Sequence, residues 1–233
     1  MAGAALEVDL VATADGAFLC LHDLTLDAET TGTGPAAART RDEIMRLRQR
    51  APDGRAIEDP PLFLDEVAAA AGRLWRSGCG LIQLDLKEPA RRFDDALVSR
   101  LRETIGDPAP FIAGSTDRRL IDRLRTGVPG LALGFDPLDL YAGEFEALAE
   151  KTLRLAPGVR IYYLQAQVVL VGLDLGVNLV ERLRRNGAEV DAWTIDADRR
   201  NLRADLCRLI DAGVDQITTN DALLLDSMLQ EAT

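Results

Sequence analysis

Leu6-Glu7-Val8-Asp9-Leu10 and Leu84-Asp85-Leu86-Lys87 decide how this chain is read. Side chains alternate across a strand, so Glu7 and Asp9 share one face while Leu6, Val8 and Leu10 share the other. The same period puts Asp85 and Lys87 together, opposite Leu84 and Leu86. In a parallel barrel the apolar face packs on surrounding helices, which turns the charged face inward. Taken singly, either strand could instead be an edge strand whose polar face meets water. Two such strands in a chain that alternates strand and helix favour the barrel interior.

Working outward, the apolar pattern predicts strands at 6–12, 81–86, 110–113, 131–135, 160–164, 190–195 and 216–219. Ala14-Asp15-Gly16 is a turn signal, and 17–21 reads as the second arm of a hairpin. Helical patterns fall at 65–75, 93–105, 117–125, 144–153, 175–186 and 202–212, with another at the C-terminus and a short one at 41–49. Residues 24–64 form a small insertion, polar and broken by Gly32, Gly34, Pro35, Pro52, Gly54, Pro60 and Pro61. Alternating strands and helices mean right-handed βαβ units and a parallel sheet. The hairpin arm aside, seven parallel strands are expected, one fewer than a closed (β/α)8 barrel needs. The expected fold is therefore α/β: a TIM-type (β/α)8 barrel missing its first βα unit, with the insertion after the second barrel strand. Residues 1–233 are read as a single domain.

The chain has 233 residues, and its 47% hydrophobic content excludes a disordered or collagen-like polymer. Net charge is −11, which argues against a nucleic-acid partner. No run approaches the roughly 18 uninterrupted apolar residues of a membrane span. Glu7 and Asp9 interrupt the apolar start and no basic segment precedes it, which excludes a signal peptide in the residues present. Cys20, Cys79 and Cys207 are widely spaced and form no metal-binding or disulfide pattern, so a reducing, cytoplasmic setting is expected.

Charges inside a barrel are costly unless paired or holding a metal. Glu7, Asp9 and Asp85 at strand ends are candidate ligands for a hard divalent cation, Mg²⁺ or Ca²⁺. Lys87 and Lys151 are the only lysines in a chain rich in arginine, which singles out Lys87 beside Asp85. His22, the only histidine, directly follows the hairpin and is a candidate general acid or base, or else a surface loop residue.

Glu7-Val8-Asp9, Thr13-Ala14-Asp15-Gly16, His22-Asp23, Leu26-Asp27 and Thr31-Gly32-Thr33-Gly34 resemble, in type and order, the glycerophosphodiester phosphodiesterase family. That family reads E-x-D, T-x-D-G, H-D, L-D-R-T-T and G-x-G over this stretch. Pro61–Val67 is similar to its P-t-L-e-E-v-L segment, Trp193-Thr194-Ile195-Asp196 to its W-T-V-N strand, and Gly213–Asn220 to its G-V-D-g-I-x-T-D ending. The resemblance covers residues 3–225. It implies that Glu7, Asp9 and Asp85 hold a divalent cation, that Lys87 meets the phosphate, and that His22 is an acid/base. A glycerol hydroxyl would attack phosphorus and expel the alcohol before water opens the cyclic phosphate. The implied partner is a small glycerophosphodiester and the implied setting lipid metabolism. Asp27 and Thr31–Gly34 would shape the loop near the mouth. Trp193 would lie on the substrate-binding wall, with core packing as the alternative.

Two departures bear on this resemblance. The family's third acid is Glu in E-x-K, whereas Asp85-Leu86-Lys87 is D-x-K, as in the related sphingomyelinase D-type phospholipases. The family also opens with a His-Arg strand ahead of a G-A segment, and Gly3-Ala4 corresponds to that segment with no His-Arg before it. The missing strand and the missing histidine coincide. Upstream coding sequence supplying both is expected; such a segment could also hide a leader. The alternatives are a silent barrel that binds metal or phosphodiester without turnover, and a lyase-type phospholipase. With seven strands, the strands of Glu7 and Ile217 would be open edges inviting self-association.

Overall fold

The computed structural model describes residues 5–76, 80–141 and 145–230. The chain divides into two compact units, Ala5–Ala132 and the part from Leu133 onward. Gly3, Ala4, Cys79 and the expected helix start at Glu144 lie outside the described residues.

The first unit opens with β1 (Leu6–Ala12), which turns through Thr13–Gly16 into the antiparallel β2 (Phe18–Cys20). Thr13 Oγ1 donates to Asp15 Oδ1 at 2.6 Å, and Gly16 supplies the positive φ of 78° that the turn requires. β3 (Ile82–Leu86) and β4 (Phe111–Gly114) extend the sheet in parallel, giving the order β2-β1-β3-β4. α2 (Leu64–Leu74), α3 (Asp95–Ile105) and α4 (Arg118–Gly127) present Leu64, Val67, Val98, Leu101, Leu120 and Leu124 as buried faces. Asp94 and Asp117 cap α3 and α4 by accepting main-chain N–H groups, as short acidic side chains do at helix starts.

The insertion is more ordered than its polarity suggests. Leu26, Ala36, Ile44 and Phe63 are all at most 1% exposed and pack with Val11, Leu19 and Leu21 into a core of their own. The helix expected over 41–49 shrinks to α1 (Arg41–Ile44). Beyond it, Thr31 N–H donates to Arg48 O and Arg50 N–H to Glu29 O, so these main-chain groups serve a ladder instead of a helix. The expected open edge at the Glu7 strand is also corrected in part, because β2 covers Leu10–Ala12 of β1.

The second unit holds β5 (Ala132–Phe135), β6 (Ile161–Gln165), β7 (Glu189–Trp193) and β8 (Gln216–Ile217), adjacent in that order and parallel. The seven expected parallel strands are thus all present. α5 (Phe145–Leu155), α8 (Leu202–Ala212) and α9 (Ala222–Gln230) match expected helices. The helix expected over 175–186 is present in shortened form as α7 (Leu179–Arg184), and a further helix that the pattern did not predict, α6 (Ala166–Asp174), precedes it. Val168–Val171 are apolar without a polar period, so no amphipathic signal marks α6. Gly176 at φ 77° ends it, and the Asn178 side chain then caps α7 by accepting from Glu181 N–H at 3.0 Å.

Candidate functional site

β1 and β3 pair in a register that sets Glu7 beside Gln83 and Asp9 beside Asp85. Registered neighbours in a sheet point to the same face, so two separate D/E patterns become one cluster. Carboxylate oxygens of Glu7, Asp9 and Asp85 lie within 4.8 Å of one another. Lys87 Nζ joins them, 2.7 Å from Asp9 Oδ1 and 2.6 Å from Asp85 Oδ2. The β1–β3 ladder carries on past β3, since Lys87 N–H donates to Leu10 O at 3.2 Å. All four side chains belong to the first unit.

The electrostatics show how crowded these acids are. Burial, with Asp9 as the next cause, pushes the Glu7 carboxyl up to about 8. Burial also raises the Asp85 carboxyl, against the pull of the Lys87 ammonium. Burial opposes the charge on Lys87, but Asp85 and Asp9 outweigh it and hold the ammonium above its ordinary range. With all three acids ionised, as metal ligands must be, one ammonium would leave the cluster two positive charges short. Hard oxygen donors lacking two positive charges fit a divalent cation.

His22 follows Leu21, whose N–H donates to Asp9 O at 3.0 Å, so the turn hangs from β1 itself. The imidazole is largely exposed, with Nδ1 2.9 Å from Asp23 Oδ1. Asp27 shapes the loop as expected: its Oδ2 accepts the Gly34 N–H at 2.9 Å. Trp193 ends β7 in the second unit, half-buried, with its indole Nε1 buried and unpartnered.

Three polar residues escaped the sequence reading. Gln83 is buried, faces the same way as Glu7, and its Oε1 has no hydrogen-bond partner; the period-2 pattern of β3 already carried that signal. Glu88 is 3% exposed and its Oε1 accepts the Ala12 N–H at 2.8 Å, tying the end of β1 to the segment after β3. Glu29 Oε1 accepts the His22 N–H at 2.9 Å. No local pattern marks these last two.

The glycerophosphoryl diester phosphodiesterase family model matches residues 2–224. A glycerophosphodiester phosphodiesterase of Caldanaerobacter subterraneus is 24% identical over 232 residues, covering 97% of this chain and 86% of that protein. Among solved structures, an Oleispira antarctica phosphodiesterase in complex with the product sn-glycerol-3-phosphate superposes with a TM-score of 0.73. It is 17% identical, over 96% of this chain and 84% of that one. A Thermotoga maritima glycerophosphodiester phosphodiesterase gives a TM-score of 0.67 at 18% identity, over 95% and 84%. These likenesses establish the α/β fold of the TIM-barrel class.

Proposed function

Because this chain belongs to the glycerophosphoryl diester phosphodiesterase family, we propose that it hydrolyses glycerophosphodiesters to an alcohol and sn-glycerol 3-phosphate. The observation that carries the reading is the convergence of Glu7, Asp9 and Asp85 on one point beside Lys87. The crowding that lifts the Glu7 carboxyl supports Mg²⁺ or Ca²⁺ on these three residues. Such an ion, when bound, supplies positive charge to the phosphodiester oxygens. An ammonium has three donors, so Lys87 keeps one for a phosphate oxygen after its two carboxylates. With Nδ1 of His22 turned to Asp23, Nε2 is the nitrogen that would protonate the departing alcohol oxygen. Trp193 would offer its indole face to the glycerol or alcohol portion and its unpartnered N–H to an oxygen. The family match spans both compact units, which supports treating 1–233 as one domain. Among the described residues no helix is long and apolar enough to cross a membrane, and Cys20 and Cys207 are unpaired.

The test is ³¹P NMR of glycerophosphoethanolamine incubated with the purified protein and Mg²⁺ or Ca²⁺, with a chelator control. The diester signal should give way to glycerol 3-phosphate, and only with cation. A second reading, binding without turnover, is favoured by one observation: His22 is the only histidine in the sequence. Calorimetric cation binding with an unchanged ³¹P spectrum would establish it in place of the first. Accumulation of a cyclic phosphate that is never opened would point instead to the lyase-type phospholipase suggested by Asp85-Leu86-Lys87.

A further inference from the structure

We propose that Glu29 is the positioning residue of the His22 turn, one carboxylate oxygen that holds the main chain on both sides of the Cα carrying the imidazole. The inference rests on the reading of His22 as the acid/base. Glu29 Oε1 accepts the N–H of His22 at 2.9 Å and that of Asp23 at 3.4 Å. Two successive N–H groups pointing at one anionic oxygen form a small main-chain cradle, and an ionised acceptor makes these bonds stronger than neutral ones.

The anchor is itself anchored. Glu29 O accepts the Arg50 N–H at 2.7 Å, and the next residue, Thr30, is 1% exposed with its hydroxyl donating to Leu26 O at 2.7 Å. Arg50 Nε closes the loop by donating to Thr30 O at 2.8 Å. On the other side, Leu21 is buried and bonded to β1. His22 and Asp23 therefore span a gap between two fixed points, and Glu29 ties them to the far one.

The imidazole needs this hold because little else restrains it. His22 and Asp23 have side chains 67% and 52% exposed, and the ring's hydrogen-bond partner is Asp23, which hangs from the same Glu29 oxygen. Packing does not aim the ring; the main chain does. Against the family pattern L-D-R-T-T, Leu26, Asp27 and Thr30 match, while Ala28 and Glu29 stand where the pattern has Arg and Thr. The carboxylate acceptor is thus a departure of this chain from the pattern.

The experiment compares untagged wild type with Glu29→Gln, Glu29→Asp, Glu29→Ala and His22→Ala. It reads kcat and KM on glycerophosphoethanolamine with Mg²⁺, the thermal midpoint, and the ¹⁵N and ¹³C signals of the imidazole, which are unique in a chain with one histidine. Displacing a catalytic group by about 1 Å can cost ~10²-fold, so Glu29→Ala should lower kcat by about 10- to 100-fold with KM within about twofold. The midpoint should hardly change, and the His22 ring signals should shift toward those of a freely rotating imidazole. Glu29→Gln keeps an oxygen at the same reach and should retain wild-type ring signals and most of kcat. Glu29→Asp, one methylene short, should fall with the alanine variant, which keeps the comparison with Gln decisive if Glu29→Ala does not fold. Unchanged kcat and ring signals in Glu29→Ala and Glu29→Asp, with His22→Ala inactive, would overturn the role of Glu29 alone. An active His22→Ala would instead overturn the acid/base reading, and the inference with it.

Discussion

Replacing Lys87 with methionine removes the one ammonium within hydrogen-bonding distance of both Asp9 and Asp85 while keeping most of the side-chain volume. In the wild type its Nζ sits 2.7 and 2.6 Å from two carboxylates, and the three side chains are 25%, 21% and 29% exposed. Breaking a buried ion pair from one side costs about 3–5 kcal/mol, because the partner charges stay behind uncompensated. Residual exposure lowers this, so we expect a loss of about 2–4 kcal/mol in the metal-free protein. At about 2–4 °C per kcal/mol for a chain of this length, the thermal midpoint should drop by about 4–16 °C. The raised pKa of Lys87 makes the contribution of its own ionisation full below the unfolded value of about 10.4, with loss only at higher pH, so any change of the deficit between about pH 6 and 9 comes from Glu7 and Asp85, whose carboxyls Lys87 helps to ionise. Saturating Mg²⁺ or Ca²⁺ should then stabilise Lys87→Met more than wild type, because its carboxylates have lost their internal cation. A concentration one hundred times Kd returns about 2.7 kcal/mol. The assay is scanning calorimetry in chelator and in cation, with Asp9→Asn/Asp85→Asn/Lys87→Met as the variant that removes the charges together. A metal-free Lys87→Met as stable as wild type would refute the reasoning, as would cation stabilisation no larger than that of wild type.

Glu7 makes the metal-free protein lose stability as pH rises from about 4.5 to about 8, since the folded carboxyl keeps a proton that the unfolded chain gives up. Glu7→Gln should flatten that slope in a pH series of thermal midpoints, and identical slopes in the two proteins would contradict the assignment. Asp191, fully buried with both oxygens 3.1 Å from the Thr218 hydroxyl, is pushed up to about 7 by burial. By the same sign argument it should cost stability as pH climbs from about 4 to 7, and Asp191→Asn should remove that part of the slope. For Trp193→Ala we expect KM for the diester to rise about tenfold, or ~1.4 kcal/mol, with the midpoint near wild type. An unchanged KM with a loss of about 3–5 kcal/mol in stability would assign the indole to core packing.

The alternation at Glu7, Asp9, Asp85 and Lys87 was legible in the chain because a strand's period of two is a local property of the backbone, and local properties survive in sequence. For the same reason the parallel strands, the hairpin turn at Thr13–Gly16 and the acidic start of the helix at Asp117 could be anticipated from residue order and type. α6 could not, because Val168–Val171 are apolar on all sides, and such a segment takes its conformation from what surrounds it. The last residues of the expected 41–49 helix were decided by the ladder that 48–50 forms with 29–31. Glu88 and Glu29 lay beyond reach too, since their partners Ala12 and His22 are brought to them by the paths of β3 and the insertion. By itself, then, the sequence determined which residues alternate, which charged residues share a strand face and which family pattern they follow, all of which depend on near neighbours along the chain. Only the tertiary structure decided that Asp9 stands beside Asp85, that Lys87 bridges them, and that one glutamate holds the histidine turn, because sheet register and loop closure bring together groups far apart in the chain.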